Sequence, residues 1–374
     1  MQLCGLRRLF SVHRQARDLS SRDDESPPDD EAPHAHVAVT GPSARLRRRV
    51  GIWAAAERRG VAQKLIIDTD PGIGDAVAIA IACFDPGIDL LAVTAVAGCV
   101  SGPIASRNIQ AIIENLDPPK WPRIGTSDHK LALPSYTEGD VTLLHDLNGT
   151  SGLGDFEFQV ADLHHRHESA KLMIDVARSL PHEVTLLTLG PLSNVELACE
   201  RAPDFLSLLK GVVCLGGSVA HGGDVSPAAE FNMFANPHAA RSVLLSPATK
   251  TLVPLDVSAR TALTFEQFDS LPKSDSSPAG RFLGQILPYA FRAYHQHLGV
   301  EGIRLAEVTA LAAISHSRLF DSQPMAVDIE TSGRLTRGAT VFDRRGVSAW
   351  QNNIDVLLDV DTQGILDYFT RTVR

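Results

Sequence analysis

From Lys64 onward, short apolar runs of strand length alternate with stretches of helical character, and no other feature restricts the fold as much. The strand candidates are Leu65–Ile67, Leu90–Val96, Val184–Leu189, Val212–Leu215 and Thr251–Val257. Helical segments fall between them at Ala76–Cys83, Ile104–Asn115, Ala170–Ser179 and His238–Leu245. Parallel strands need a crossover connection, usually a helix, so this order predicts an α/β fold. The expected architecture is an open, mostly parallel, doubly wound (Rossmann-like) sheet with helices on both faces. Two longer helical patterns follow, at about Ala279–His297 and Leu305–Ser317. Ala326–Ile329 and Ala339–Phe342, flanking Gly333 and Gly338, then read as a late antiparallel hairpin.

The 374 residues are 44% hydrophobic, enough for one large core over residues 64–374. A formal net charge of −9 argues against nucleic acid as a partner, because phosphate backbones are bound by clustered Lys and Arg. No apolar run approaches the roughly 18 residues that span a bilayer, so no membrane role is expected. Cys4, Cys83, Cys99, Cys199 and Cys214 are widely spaced without a CxxC pair. They read as reduced thiols of a cytoplasmic protein rather than as a disulfide framework or zinc site. Residues 1–63 differ from the rest: Arg7, Arg8, Arg14 and Arg17 precede any acid, an acidic run follows from Asp23 to Glu31, and a basic cluster ends at Arg49. Segregated charge without apolar periodicity reads as a disordered extension. The Arg-rich start also suits an organellar transit peptide, which the acidic block opposes.

Asp68, Asp70 and Asp75 fall within eight residues, between an apolar run and a Pro71-Gly72 turn that opens a helix. That order puts three carboxylates at the carboxyl edge of the sheet, where open α/β folds place their ligand crevice. Converging acids repel one another unless a cation joins them, and oxygen-only ligation suits Ca²⁺ or Mg²⁺. Asp75 alone is equally readable as a helix cap. Leu189-Gly190-Pro191-Leu192-Ser193-Asn194 is a second break after a strand, at which a backbone carbonyl can turn out as a ligand. Glu230 and Asn232, two apart on an extended segment, share a face; they either serve a ligand or satisfy buried backbone. Glu307 opens a later helix, Cys99 lies in the crevice zone, and His295 and His297 sit near a helix end.

Together these segments resemble the nucleoside hydrolase family, the inosine–uridine-preferring N-ribohydrolases. The resemblance runs from Asp68–Ala76 through Gly149–Gly154, Leu189–Asn194 and Ala229–Asn232 to the hairpin Val327–Val341, in order along the chain. It implies hydrolysis of an N-glycosidic bond of a nucleoside-like substrate, with one Ca²⁺ per subunit in a homodimer or homotetramer. The ion would be held by Asp70, Asp75, the Leu189 carbonyl and Glu307, with Asp70 as general base. Glu230, Asn232, Asp224 and Cys99 fall at sugar-binding positions; His295 and His297 read by residue type and spacing as surface or packing histidines, with the leaving-group region as their candidate functional place.

Several positions depart from the family's pattern. Gly74 replaces the first acid of an Asp-Asp pair, Cys99 and Asp224 replace asparagines, Glu307 replaces an aspartate, Ala306 a histidine, and Asn148 a loop histidine. Losing one charge-assisted hydrogen bond costs roughly 1.5–3 kcal/mol, so Gly74→Asp is expected to raise turnover on ribonucleosides. The alternative to an active enzyme is a weakened or non-catalytic sugar-binding member of the family. A haloacid-dehalogenase-like phosphotransferase also begins with Asp-x-Asp after a strand, but needs a late acidic pair that residues 64–374 lack.

Overall fold

The computed structural model describes residues 61–130, 142–154, 156, 158–160, 167–271, 277–345 and 350–373, so the expectations for the first 63 residues lie almost wholly outside it. Its strands are β1 (Gln63–Thr69), β2 (Ile88–Ala95), β3 (Arg123–Thr126), β4 (His167–Glu168), β5 (Val184–Thr188), β6 (Gly211–Leu215), β7 (Lys250–Val253), β8 (Ala262–Leu263), β9 (Ile303–Arg304), β10 (Phe320–Ile329), β11 (Thr340–Asp343) and β12 (Ile354–Val360). Ten form one sheet in the order β11-β10-β12-β7-β6-β5-β1-β2-β3-β4, while β8 and β9 pair separately. Pairing is parallel from β12 through to β4, and only β10 and β11 run antiparallel at one edge. The late hairpin forms as expected, with Ala326 opposite Asp343 and Ile329 opposite Thr340.

Alternation along β1 assigns the two faces. Leu65 and Ile67 pack with the helices Ile73–Phe84, Gly102–Leu116 and Ala306–Ser315, whereas Ile66 packs with Ser169–Ser179, Ser193–Arg201 and Pro237–Leu245. A strand covered on both faces needs apolar residues at every position, hence the unbroken Leu65-Ile66-Ile67 run. The chain winds from β1 outward through β2 to β4, then returns to β5 on the other side of β1. This reversal opens a crevice at the carboxyl ends of β1 and β5. Asp68–Asp75 and Leu189–Asn194 lie at those two ends.

One strand is shorter than its apolar run suggests. β7 stops at Val253, because Pro254 has no N–H for the ladder and instead opens the short helix Leu255–Ser258. β3, β12 and the final helix Thr362–Val373 have no counterpart in the sequence reading. Among the described residues, no helix is long and apolar enough to cross a membrane.

Candidate active site

The Asp loop is built by capping. Asp75, in the first turn of Ile73–Phe84, accepts the Gly72 N–H at 2.9 Å and the Thr69 hydroxyl at 2.6 Å. The capping reading of Asp75 is therefore realised, and it aims the carboxylate back toward the end of β1. Asp70 is 4% exposed. Its Oδ2 accepts the Cys99 N–H at 2.6 Å, and the Cys99 thiol donates to the Asp70 carbonyl at 2.8 Å. Two glycines make room for it: a Cβ on Gly98 would lie 2.0 Å from Oδ2 and one on Gly190 2.4 Å from Oδ1. Asp68 points beneath the loop, where one oxygen accepts from Thr94 at 2.7 Å and Asn194 at 2.8 Å; its Oδ2 is buried without a partner. Enclosed in this way, Asp68 is no nucleophile for phosphoryl transfer.

Glu307 enters from the first turn of Ala306–Ser315. Its carboxylate lies over the backbone of Gly74, so that a Cβ there would stand 2.2 Å from Oε2. A side chain at position 74 therefore has to displace the end of Glu307, and any gain from Gly74→Asp depends on that movement.

The electrostatics of these acids are alike. Burial, then repulsion by Asp75, pushes Asp70 well above the ordinary carboxyl range. Burial also raises Asp75, while burial and Asp75 together lift Glu307 to about 8. No Lys, Arg or His among the described residues offsets any of the three. Among the described residues, no three acid, histidine or cysteine side chains close on a point as a finished metal cage. The donors nevertheless suit a hard cation in kind: they are buried oxygens that repel one another. The Leu189 carbonyl accepts the Asn232 side-chain amide at 2.6 Å, which fixes its direction at the crevice floor.

The opposite side of the crevice is held by backbone. Glu230 accepts N–H groups from Gly217 at 2.8 Å, Asn232 at 3.0 Å and Met233 at 3.2 Å, capping Phe231–Ala235. Asn232 also bridges to the Leu215 carbonyl at 3.0 Å, and Asp224 accepts the Phe231 N–H at 2.9 Å. Burial and the nearby Asp224 raise Glu230 to about 8. Satisfying buried backbone is thus an observed role of both Glu230 and Asn232.

A cavity of about 270 Å³ opens beside Gly74 and Glu307, with Asp224, His221, Tyr294 and Arg304 among its polar lining. His295 and His297 lie outside that lining, exposed, facing Glu301 at 3.0 Å and Asp146 at 3.6 Å. The reason is helical period: Leu287, Ala290, Tyr294 and Leu298 share the face of Pro278–Leu298 toward the cavity, and the two histidines fall off it. Tyr294, Arg304 and His221 were missed by sequence reasoning; only the i, i+4 spacing could have found Tyr294. Asn148 accepts the Ile73 N–H at 2.9 Å, and Asn108 donates to the Pro71 carbonyl at 3.1 Å and the Ser151 carbonyl at 2.7 Å. The Gly149–Gly154 loop is thereby tied to the Asp loop.

An acid-rich crevice at the switch point of a doubly wound sheet, beside a partly apolar cavity, defines a ligand-binding α/β protein. The chain belongs to the inosine-uridine preferring nucleoside hydrolase family, whose profile matches residues 65–367. It is 33% identical over 303 residues to the non-specific ribonucleoside hydrolase RihC of Escherichia coli O1:K1, covering 80% of this chain and 94% of that one. A plant nucleoside hydrolase superposes with a TM-score of 0.74 at 25% identity, over 83% of this chain and 98% of its own. An inosine-guanosine nucleoside hydrolase superposes with a TM-score of 0.74 at 26% identity, over 84% and 99%.

Proposed function

We propose that the protein hydrolyses the N-glycosidic bond of a nucleoside or related N-ribosyl compound, with Asp70 as general base and Ca²⁺ as cofactor. The observation that carries this reading is the buried set Asp70, Asp75 and Glu307, whose raised pKa values no Lys, Arg or His among the described residues offsets, at the switch-point crevice of a nucleoside hydrolase chain. Those three carboxylates and the Leu189 carbonyl would hold the ion. When bound, such an ion acts as a Lewis acid that lowers the pKa of water.

Asp70 receives the proton of the attacking water. The Cys99 N–H holds its Oδ2 in place, which leaves Oδ1 to take that proton. The surrounding negative charge favours the oxocarbenium-like ribosyl group formed as the bond to the base breaks. Glu230 accepts three backbone bonds and, with about four lone-pair sites on a carboxylate, has room for one sugar hydroxyl. Asn232, Asp224 and Cys99 keep their assignment beside the sugar, as groups fixed by the hydrogen bonds described above. Tyr294, Arg304 and His221 replace His295 and His297 as the polar groups nearest the leaving base. The free thiols Cys83, Cys99, Cys199 and Cys214 support a cytoplasmic setting, and the family resemblance carries a homodimer or homotetramer.

Incubation with Ca²⁺ and a panel of purine and pyrimidine nucleosides, read as free base and reducing sugar, tests the proposal. Release from at least one is expected; none from any, with calcium shown bound by calorimetry, overturns it. The second reading, a binding protein without turnover, is favoured by the absence of a finished cage among the described residues. It predicts ligand-dependent thermal stabilisation with no product.

A further inference from the structure

Gly74 and Glu307 open two helices, Ile73–Phe84 and Ala306–Ser315, whose first turns face each other across the wall of the 270 Å³ cavity. A Cβ on Gly74 would meet Glu307 Oε2 at 2.2 Å, Cδ at 2.5 Å and Oε1 at 2.7 Å. All three contacts are closer than any real side-chain carbon tolerates, and all three are with the carboxyl group itself. The carboxylate of one helix therefore occupies the volume that the side chain of the other would fill. Both residues line the cavity, so whichever side chain takes the space presents its oxygens to the same ligand.

We propose that Gly74 and Glu307 form a size-matched exchange pair, in which Glu307 supplies across the cleft the hydroxyl-accepting carboxylate that position 74 lacks. The inference deepens the nucleosidase reading and rests on it for the identity of the ligand, a sugar bearing a free hydroxyl beside the scissile bond. The length of Glu matters here: an aspartate at 307 would end one methylene short and leave the space over Gly74 open. With Glu307 placed as it is, the wall has room for one carboxylate there, and a second has to push the end of Glu307 aside. A single acceptor still discriminates, because a carboxylate poised for a hydroxyl is left unpaired by an analogue lacking it.

The test is a double-mutant cycle with the full-length protein: wild type, Gly74→Asp, Glu307→Asp and the double variant. The first readout is melting temperature in chelator; the second is the ratio of kcat/KM for a ribonucleoside to that for its 2′-deoxy counterpart, with Ca²⁺ present. Gly74→Asp is expected to lower the melting temperature, and each single variant to reduce the ratio by about fivefold or more. The double variant is expected to recover both, leaving the two substitutions strongly non-additive. If Gly74→Asp does not fold, Gly74→Ala replaces it in the melting readout, since a bare Cβ already meets the carboxylate, and the ratio is then read from Glu307→Asp alone. Additive melting shifts, or a ratio constant across the four proteins, would overturn the pair. Strong coupling in melting temperature with no nucleoside cleaved by any of the four would instead sink the catalytic reading and leave the packing exchange standing.

Discussion

On the Asp68–Asp75 side of the crevice, Asp70 and Glu307 are raised by a neighbouring acid and have few donors; on the Ala229–Asn232 side, Glu230 is surrounded by backbone N–H groups. Glu230 gathers three such donors and Asp224 takes the Phe231 and Val225 N–H groups, so this half is closed by the polypeptide itself. Asp70 has a single N–H donor from another residue, and Glu307 is pushed up to about 8 with no donor beyond its own backbone. Similar residue types therefore perform different work. The first group is incomplete without something positive, and the second holds the floor on which that group acts.

Substitution should separate the two halves most sharply. Asp70→Asn removes the proton acceptor and is expected to lower kcat by about 10²–10⁴-fold. Because it also relieves repulsion with Asp75, the ion-free protein should melt at the same temperature or higher. Glu230→Ala should do the reverse in stability, stranding three buried N–H groups at about 1 kcal/mol or more each. Urea unfolding of both variants checks the contrast. Equal destabilisation by the two would erase the distinction.

Ion removal acts on one half only. Chelation should abolish base release, and calcium at about 100 times its Kd should restore it together with about 2.7 kcal/mol of stability. Asp70→Asn should lose most of that calcium-dependent gain, while Glu230→Gln should keep it. Thermal scans with and without chelator measure both.

Acidity should expose the other half. Glu230 ordinarily ionises near 4.5 and is raised to about 8 in the fold. Between those values the folded protein holds a proton that the unfolded chain has released, so stability falls as pH rises through this window and levels off above it. Glu230→Gln should reduce the slope in that part of the profile in chelator, the rest coming from Asp68 and Glu307, as read by urea midpoints from pH 5 to 9. A slope unchanged by the substitution would assign the proton elsewhere.

Much of this contrast was written in the sequence, though unevenly. The Asp loop, the Gly190-Pro191 break and the parallel core were legible because each depends on local chemistry: an apolar run, a residue without N–H, a capping acid. The late hairpin was legible for the same reason. β3 and β12 were not, since Arg123–Thr126 is short and mixed and Ile354–Val360 carries two acids. Their strand character comes from neighbours already in the sheet. Within the site, the exchange between Gly74 and Glu307 could not be read, because 233 residues of chain separate two helix ends that only the fold brings together. His295 and His297 drew attention by residue type, whereas the side chain that reaches the cavity, Tyr294, is set by helical phase.

The smallest expected effect concerns the tie between loop and crevice. Asn148 stands in place of a loop histidine, and its oxygen accepts the Ile73 N–H while its amide donates to the Leu144 carbonyl at 3.0 Å. A Cβ on Gly72 would lie 2.6 Å from that same oxygen, so the loop seats directly on the turn that carries Asp70. Asn148→Ala leaves one N–H at a helix start without its acceptor, worth about 1 kcal/mol. KM should therefore rise several-fold as the loop loosens, while the pH dependence of kcat, set by Asp70, stays put. Asn148→His tests the converse, since an imidazole can accept the same bond through one nitrogen and present the other to the cavity. A shift in the pH profile of kcat with the histidine but not the alanine would show that this position touches the leaving base; a KM effect alone would confine it to holding the loop.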